Sequence, residues 1–434
     1  MMPTIIISIS TFILVILSIL LFPHIKIGKF RLDTYWMIAL LGAVVLLIFS
    51  FAPIQEVGKQ LTSDASINPI KILVLFFSMT LMSVFLDELG LFKFLASVAS
   101  SKAKENQIIL FLIFYFLTAI LTVFTSNDVV ILTLTPFICF FAKRSKINPI
   151  PYLVGEFVAA NTWSLMLMIG NPTNIYLATS AGITFIEYFK VMAIPTVVAG
   201  LAELGLLLLI FRKHLKVPLI NNEVTFRVEH RVPIIVGIID LAVCLVFLII
   251  SSYIKVEMWL VSMICASFML LFMFVYALIK REYFYHIGIS LSRLPYQLIP
   301  FFLSMFVIVV SLNYQGISEQ IAKFLGSNNT LWVYGYSSFL ASNLINNIPM
   351  SILFTDLANN LTGIEHIKAV YGSIIGSNIG AFLTPIGALA GIMFSSLVHK
   401  NNVRFSFLDF VKYGLIVSIP IITVALAMTA IFIH

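Results

Sequence analysis

Residues 121–136 read LTVFTSNDVVILTLTP, an apolar run with Thr125, Ser126, Asn127 and Asp128 at its middle. A charged side chain at bilayer depth costs about 3 kcal/mol on insertion scales unless it pairs or lines a cavity. Irregular backbone is tolerated at that depth only where protein or water-filled space surrounds it. The stretch therefore reads as the tip of a re-entrant hairpin, with one helix over 108–124 and another over 129–142. About 220 residues later the pattern returns: Ser342, Asn343, Asn346, Asn347 and Pro349 interrupt an apolar run from Leu331 to Leu357. Two polar tips in corresponding halves point to the substrate site of a transporter.

The rest of the chain fits that setting. Its 434 residues are 60% hydrophobic and 10% charged, with mean hydropathy +1.06. Apolar runs long enough to span a bilayer recur throughout. This excludes a soluble globular domain and predicts a polytopic membrane protein embedded in a lipid bilayer. The net charge of +7 comes without a basic patch interleaved with aromatics, so no nucleic-acid partner is expected. Cys139, Cys244 and Cys265 lack metal spacing, and neither a metal nor an organic cofactor is expected. The seven histidines fall in loops or at helix ends. With no Ser–His or Ser–Lys pair and no carboxylate dyad, an enzyme is not expected. Residues 1–22 lack a basic leading segment and read as a retained first helix rather than a signal peptide.

The predicted architecture is all-α, with about ten transmembrane helices, two re-entrant hairpins and two broken helices. Residues 1–211 form a first repeat, with spans at 3–23, 35–53 and 69–90, hairpin 108–142, broken helix 152–180 and closing helix 191–211. A polar cytoplasmic linker covers 212–232. Residues 233–434 form a second repeat, with spans at 233–252, 257–278 and 296–316, hairpin 331–357, broken helix 366–396 and closing helix 411–433. Placing 20 of the 26 basic residues in the cytoplasm requires hairpin 108–142 to enter and leave from one side. Both termini are then extracytoplasmic, and the repeats have inverted topology. Laid over 301–316 without gaps, 75–90 matches Phe76 to Phe302, Ser78 to Ser304, Met79 to Met305, Leu86 to Leu312 and Gly90 to Gly316.

The polar residues gather at four interruptions. The first broken helix carries Asn161, Thr162 and Ser164, then Gly170-Asn171-Pro172-Thr173-Asn174. Pro172 removes a backbone donor and Gly170 permits unusual backbone, so a half-helix N-terminus is expected at Asn171 or Thr173. The counterpart is Gly376-Ser377-Asn378 followed by Leu383-Thr384-Pro385-Ile386-Gly387. Freed carbonyls suit a cation, and half-helix N-termini suit an anion or polar oxygens. The candidate substrate- or ion-binding set is Ser126, Asn127, Asp128, Asn161, Gly170, Asn171, Thr173, Asn174, Asn343, Asn346, Asn347, Ser377, Asn378, Thr384 and Gly387. Asp128 is the proton-coupling candidate. For Asp240 and Glu203, also within apolar segments, structural pairing or a water-facing position stands beside proton carriage. Asp87, Glu88 and Glu156 read as solvated helix ends or a gate ion pair.

The segments SVFLDELGLFKFLA, SNDVVILTLTP, FIEYFKVMAIP, NNIPM and IGSNIGAFLTPIGALAGIMF resemble the ion transporter superfamily. Its branches include arsenite permeases, sodium/proton antiporters of the NhaD type, divalent anion:sodium symporters and citrate carriers. The similarity covers nearly the whole chain and is nearest the ArsB-type permeases. It implies a secondary transporter of the bacterial inner membrane, a homodimer, working by an elevator-like movement. It places the site on Asn127 and Asp128, Asn346 and Asn347, and the breaks at Asn171–Asn174 and Thr384–Gly387. Asn161 and Asn378 stand where arsenite permeases commonly carry an acidic residue, and the first break reads GNPTN. The expected function is proton-coupled efflux of arsenite, antimonite or a similar small oxyacid. Sodium-coupled transport of a carboxylate or other anion, and sodium/proton antiport, are the alternatives, with proton or sodium as coupling ion. A partner ATPase would find its sizeable cytoplasmic surface on 212–232.

Overall fold

The computed structural model describes residues 1–22, 24–27, 30–62, 68–103, 106–218, 231–251, 253–281 and 284–433. In chain order α1 (Met2–Leu21) leads to a ribbon of β1 (His24–Ile27) and β2 (Phe30–Asp33). There follow α2 (Thr34–Ile48), α3 (Ile54–Thr62), α4 (Pro69–Glu88), α5 (Leu91–Ser101), α6 (Gln107–Phe124) and α7 (Asn127–Arg144). Then come α8 (Ile150–Trp163), α9 (Pro172–Ser180) and α10 (Phe185–Leu215). Beyond the linker lie α11 (Arg231–Ile250), α12 (Met258–Lys280), α13 (Phe284–Ser292), α14 (Leu298–Tyr314) and α15 (Ile317–Leu325). The chain ends with α16 (Thr330–Ile345), α17 (Asn347–Ala358), α18 (Gly363–Gly380), α19 (Leu389–Lys400) and α20 (Phe407–Phe432).

Local chemistry sets many of these ends. Asn68 and Asn106 cap α4 and α6, each accepting from two backbone N–H groups of the first turn, which satisfies donors a helix start leaves unpaired. Thr184 with Glu187 and Ser406 with Asp409 form capping boxes at the starts of α10 and α20. Gly90 and Gly316, paired in the sequence alignment, take φ of 87° and 71° at the α4–α5 and α14–α15 turns. Only glycine adopts that left-handed backbone without strain, and the second turn bends the chain by 80°.

Packing joins the halves through reciprocal pairs. Helix α4 lies on α12 as α14 lies on α2; α6 lies on α8 as α16 lies on α18; α7 meets α19 as α17 meets α9; and α10 packs along α20. Helices α6 and α7 run side by side. The ring of Phe114, well before their junction, sits 6.0 and 5.9 Å from Phe137 and Phe141, well after it. At 1.5 Å rise per residue, rings so far from the junction meet only if the chain folds back. Tyr334 and Phe354, 6.0 Å apart, show the same for α16 and α17.

Helix α18 approaches α16 almost backbone to backbone. A Cβ at Gly372 would lie 2.4 Å from the Leu331 carbonyl oxygen, and one at Gly376 would lie 2.2 Å from that of Gly335. A Cβ at Gly380 would lie 2.3 Å from Ser342 Oγ. Three glycines at four-residue spacing form one bare stripe, the small-residue contact that lets membrane helices pack closely.

Several expectations need correction. The all-α class holds, and one loop adds a small ribbon to it: His24–Ile27 and Phe30–Asp33 pair antiparallel, Ile25 opposite Leu32. Apolar and polar residues alternate there, and pairing satisfies the backbone of the loop. Four short helices, α3, α5, α13 and α15, occupy stretches read as loops. The closing helix of the first half starts at Phe185, not 191, because the Thr184–Glu187 box caps it there, and it runs to Leu215. The second half's closing helix starts at Phe407 rather than 411 for the same reason. Much of the expected linker 212–232 lies outside the described residues. Among the described residues seven helices are long and apolar enough to cross a membrane, one of them α6 of the expected hairpin 108–142, or eight with the bent pair α14–α15. The remaining expected crossings fall on α2, with 15 residues, and on the two broken helices, which are not continuous.

Candidate functional site

The first break follows its sequence. Helix α8 ends at Trp163, a turn of 3₁₀ helix covers Met168–Gly170, and Asn171 caps α9 by accepting from Thr173 N at 3.1 Å. Pro172 fills the first position of α9, where its missing N–H costs nothing. Gly170 lies so near the end of α8 that a Cβ would meet the Ser164 carbonyl oxygen at 2.3 Å. In the second break the chain leaves helix at Gly380 and resumes at Leu389. Gly387 accepts from Asn347 N at 3.0 Å, tying this break to the α16–α17 tip.

Most of the predicted residues saturate one another. Asn378 is the hub and is fully buried. Its Nδ2 donates to Asn174 Oδ1 at 2.6 Å and to the Ile374 carbonyl at 2.8 Å. Its Oδ1 accepts from Ser164 Oγ at 2.8 Å and Asn171 Nδ2 at 3.1 Å. Ser377 Oγ donates to Thr173 Oγ1 at 3.0 Å. Asn174 Nδ2 reaches back to the Ser164 carbonyl at 2.9 Å. At the first tip, Asn127 Nδ2 donates to Asn161 Oδ1 at 3.1 Å. Residues over 200 positions apart thus form one cluster across α7, α8, α9 and α18.

A second cluster abuts it. Asn343 Oδ1 accepts from both the backbone N and Oγ1 of Thr384, at 3.1 and 2.7 Å, while its Nδ2 donates to the Gly380 carbonyl at 2.9 Å. Asn346, at φ 71°, caps α17 and donates to the Ile386 carbonyl at 3.0 Å. Gly387 is again tight: a Cβ would lie 2.8 Å from Asn343 Oδ1.

Three predicted residues keep unused capacity. Ser126 Oγ is buried without a hydrogen-bond partner among the described residues. The side chains of Asp128 and Asn347 make no hydrogen bond there either; Asp128 is half-buried and its backbone N donates to Asn127 Oδ1 at 2.9 Å. All three stand at the tips, Ser126 and Asp128 on the first and Asn347 on the second. An arrangement of satisfied amides around a few unsatisfied groups is a rigid cradle with spare donors and acceptors.

Sequence reasoning left some participants out. Ser164 reads in the sequence only as part of a polar run, yet in the fold it links Asn161, Asn174 and Asn378. The glycine stripe of α18, visible as a four-residue spacing, seats Ser377 and Asn378. Glu156 is not at a solvated end. It is 1% exposed on α8 and both its carboxyl oxygens lie within 3.0 Å of Thr135 Oγ1 of α7. Asp87 and Glu88 form an ion pair with Arg293, the Glu88 contact being 3.0 Å. A separate cavity of about 640 Å³ between α11 and α12 holds Asp240 among apolar side chains. Its lining includes the exposed Ile239, Val243, Phe247, Ile264 and Phe268 and none of the clustered asparagines.

Comparisons with known proteins place the chain among membrane transporters. The family model described as CitMHS, citrate transporter, matches residues 12–369. The arsenical pump membrane protein of Escherichia coli K12 is 27% identical over 378 residues, 82% of this chain and 85% of that one. A second Escherichia coli arsenical pump membrane protein is 26% identical over 418 residues, 90% and 92% of the two chains. Among solved structures, the Alcanivorax borkumensis YdaH transporter superposes with TM-score 0.55 at 14% identity, covering 100% of this chain and 98% of that one, which speaks to the fold alone.

Proposed function

The chain belongs to the CitMHS citrate transporter family of the ion transporter superfamily, and from that premise we propose that this membrane transporter exports arsenite or a similar small oxyacid in exchange for protons. The observation that carries the reading is the chemistry of the four interruptions. Every predicted side chain there is an amide or a hydroxyl except Asp128, and no lysine, arginine or histidine is among them. Arsenous acid is neutral at pH 7 and both donates and accepts hydrogen bonds, so it needs no fixed positive charge. Ser126, Asn347 and Asp128 supply the unused groups to hold it. The relatives named as arsenical pumps support the same class of substrate.

Asp128 is the proton carrier in this scheme. A carboxyl that alternates between dry and wet surroundings takes up and releases a proton as its solvation changes. Each half is a repeat of inverted topology with its hairpin tip at mid-depth, a reading that the reciprocal helix pairs support. Movement of the elevator type, a homodimer and placement in a bacterial inner membrane are carried over from the superfamily resemblance. Sodium-coupled carboxylate transport is the second reading. It is favoured by the citrate transporter description of the family and by the carbonyls at the Gly170 break and the Asn127 tip, which suit a cation.

Reconstituted protein in proteoliposomes tests both. Arsenite flux that follows an imposed pH gradient and ignores sodium is expected. Asp128→Asn should abolish proton-driven accumulation while leaving downhill arsenite movement. Unchanged uphill transport by that variant would remove Asp128 from the mechanism. Sodium-dependent citrate flux with no arsenite flux would replace the first reading by the second.

A further inference from the structure

Glu203 takes no part in the scheme above, yet it is fully buried on α10. Its partners come from two other helices. Tyr115 OH of α6 lies 3.0 Å from Oε1, and Thr162 Oγ1 of α8 donates to Oε2. Among the described residues no cation pairs with it.

Counting protons around Tyr115 decides the state of this carboxyl. The phenol oxygen has one hydrogen and two lone pairs to offer. It lies 2.6 Å from the Gly200 carbonyl, which only accepts, and 3.2 Å from Trp163 Nε1, which only donates. The single phenol hydrogen therefore goes to Gly200. Trp163 then uses one lone pair, and the contact with Glu203 is a hydrogen bond only if Oε1 carries the hydrogen. With that hydrogen in place, Oε2 remains free to accept from Thr162, and every group in the cluster is satisfied. An ionised Glu203 would instead turn Oε1 against the Tyr115 lone pairs, buried, with the Thr162 hydroxyl as its one donor among the described residues. The approach is built in: a Cβ at Gly200 would lie 2.6–2.7 Å from the Trp163 indole, so only glycine lets that ring reach Tyr115.

We infer that Glu203 is a protonated carboxylic acid that donates to Tyr115 and holds Thr162, a positioning residue fixing the end of α8 that presents Asn161 to the first tip. Thr162 and Trp163 flank the turn where α8 stops, next to Asn161 and Ser164. Glu203 keeps its proton, so it adds nothing to the proton count of a transport cycle. The inference rests on the tip cluster being the site, not on which substrate it holds.

The test uses the full chain in lipid nanodiscs at pH 7, where an ordinary glutamate, with pKa about 4.3, is ionised. The infrared difference between wild type and Glu203→Gln should show a carboxylic-acid C=O band above the amide I region that shifts in D2O. Glutamine reproduces both roles, since its NH₂ donates to Tyr115 and its oxygen accepts from Thr162. Glu203→Gln should therefore keep the wild-type melting temperature and proton-driven flux. Glu203→Leu should melt lower and lose flux by about tenfold or more, the scale of one buried polar group left unpaired. Absence of the band would overturn the inference. So would an unchanged melting temperature in Glu203→Leu, because nothing would then be positioned. A well-folded Glu203→Gln that has lost proton-driven flux but keeps downhill movement would make Glu203 a moving-proton site instead. The band and the melting order need no substrate, so they stand even if arsenite is not carried.

Discussion

Replacing Asn378 by alanine tests whether the asparagine cluster is the framework of the site. Four hydrogen bonds disappear: two donated, to Asn174 and Ile374, and two accepted, from Ser164 and Asn171. Ser164 Oγ still has the Asn161 carbonyl at 2.6 Å, and a helix carbonyl such as that of Ile374 keeps its backbone donor. Asn171 Nδ2 and Asn174 Oδ1 lose their side-chain partner in a region where both residues are at most 2% exposed. Two unpaired buried groups at about 1–3 kcal/mol each give about 2–6 kcal/mol in an aqueous reference. Within a membrane the unfolded helices also find partners, and measured interhelical hydrogen bonds average about 0.6 kcal/mol with a maximum near 1.7. The lower end, about 2 kcal/mol, is therefore expected. Detergent-mediated unfolding of wild type, Asn378→Ala, Asn174→Ala and the double variant forms the assay. The cycle should return a coupling of about 0.6–1.7 kcal/mol, and Asn378→Ala should also lose flux. A coupling indistinguishable from zero would show that the 2.6 Å contact between the two asparagines does not organise the site, and the cradle argument would fail with it.

Three further substitutions probe the packing and the surface. Gly376→Ala should destabilise by about 1–3 kcal/mol or prevent folding, since its Cβ would sit 2.2 Å from the Gly335 carbonyl oxygen. Gly205→Ala on α10, where a Cβ meets nothing within 4 Å, should be neutral or slightly stabilising by melting temperature. Outside the membrane, the hydrogen bond from Lys71, with one from Trp259 Nε1, holds the Glu257 carboxyl below the usual carboxylate range. A depressed folded pKa means stability fully present above the unfolded value of about 4.3 and lost as pH falls through the folded one. Glu257→Gln should lower the melting temperature slightly at pH 7, by the equivalent of no more than about 1 kcal/mol for so exposed a pair. The difference should vanish in acid.

The sequence by itself determined where this chain cannot continue as an apolar helix. Pro172 with Gly170, Asn127-Asp128, and Asn346-Asn347 announce breaks because backbone geometry and the cost of burying polar groups act over a few residues. The same locality makes the Asn171 cap legible, and the paired glycines at 90 and 316. Tertiary structure decided which polar groups cancel. Asn378 meets Asn171 and Asn174 because a glycine stripe draws α18 onto α16 and the reciprocal pairing lays α9 beside it, and spacing within either segment carries no trace of that. Glu156 reads as a helix end because its partner Thr135 lies on α7, a different element, which the sequence around Glu156 does not show. The capping boxes at 184 and 406 are local signals, but an apolar window hides them and puts the starts of α10 and α20 too late. A side chain's type says what it could bond. Only the fold says which bonds are already made, and among the described residues the side chains of Ser126, Asp128 and Asn347 at the two tips make none.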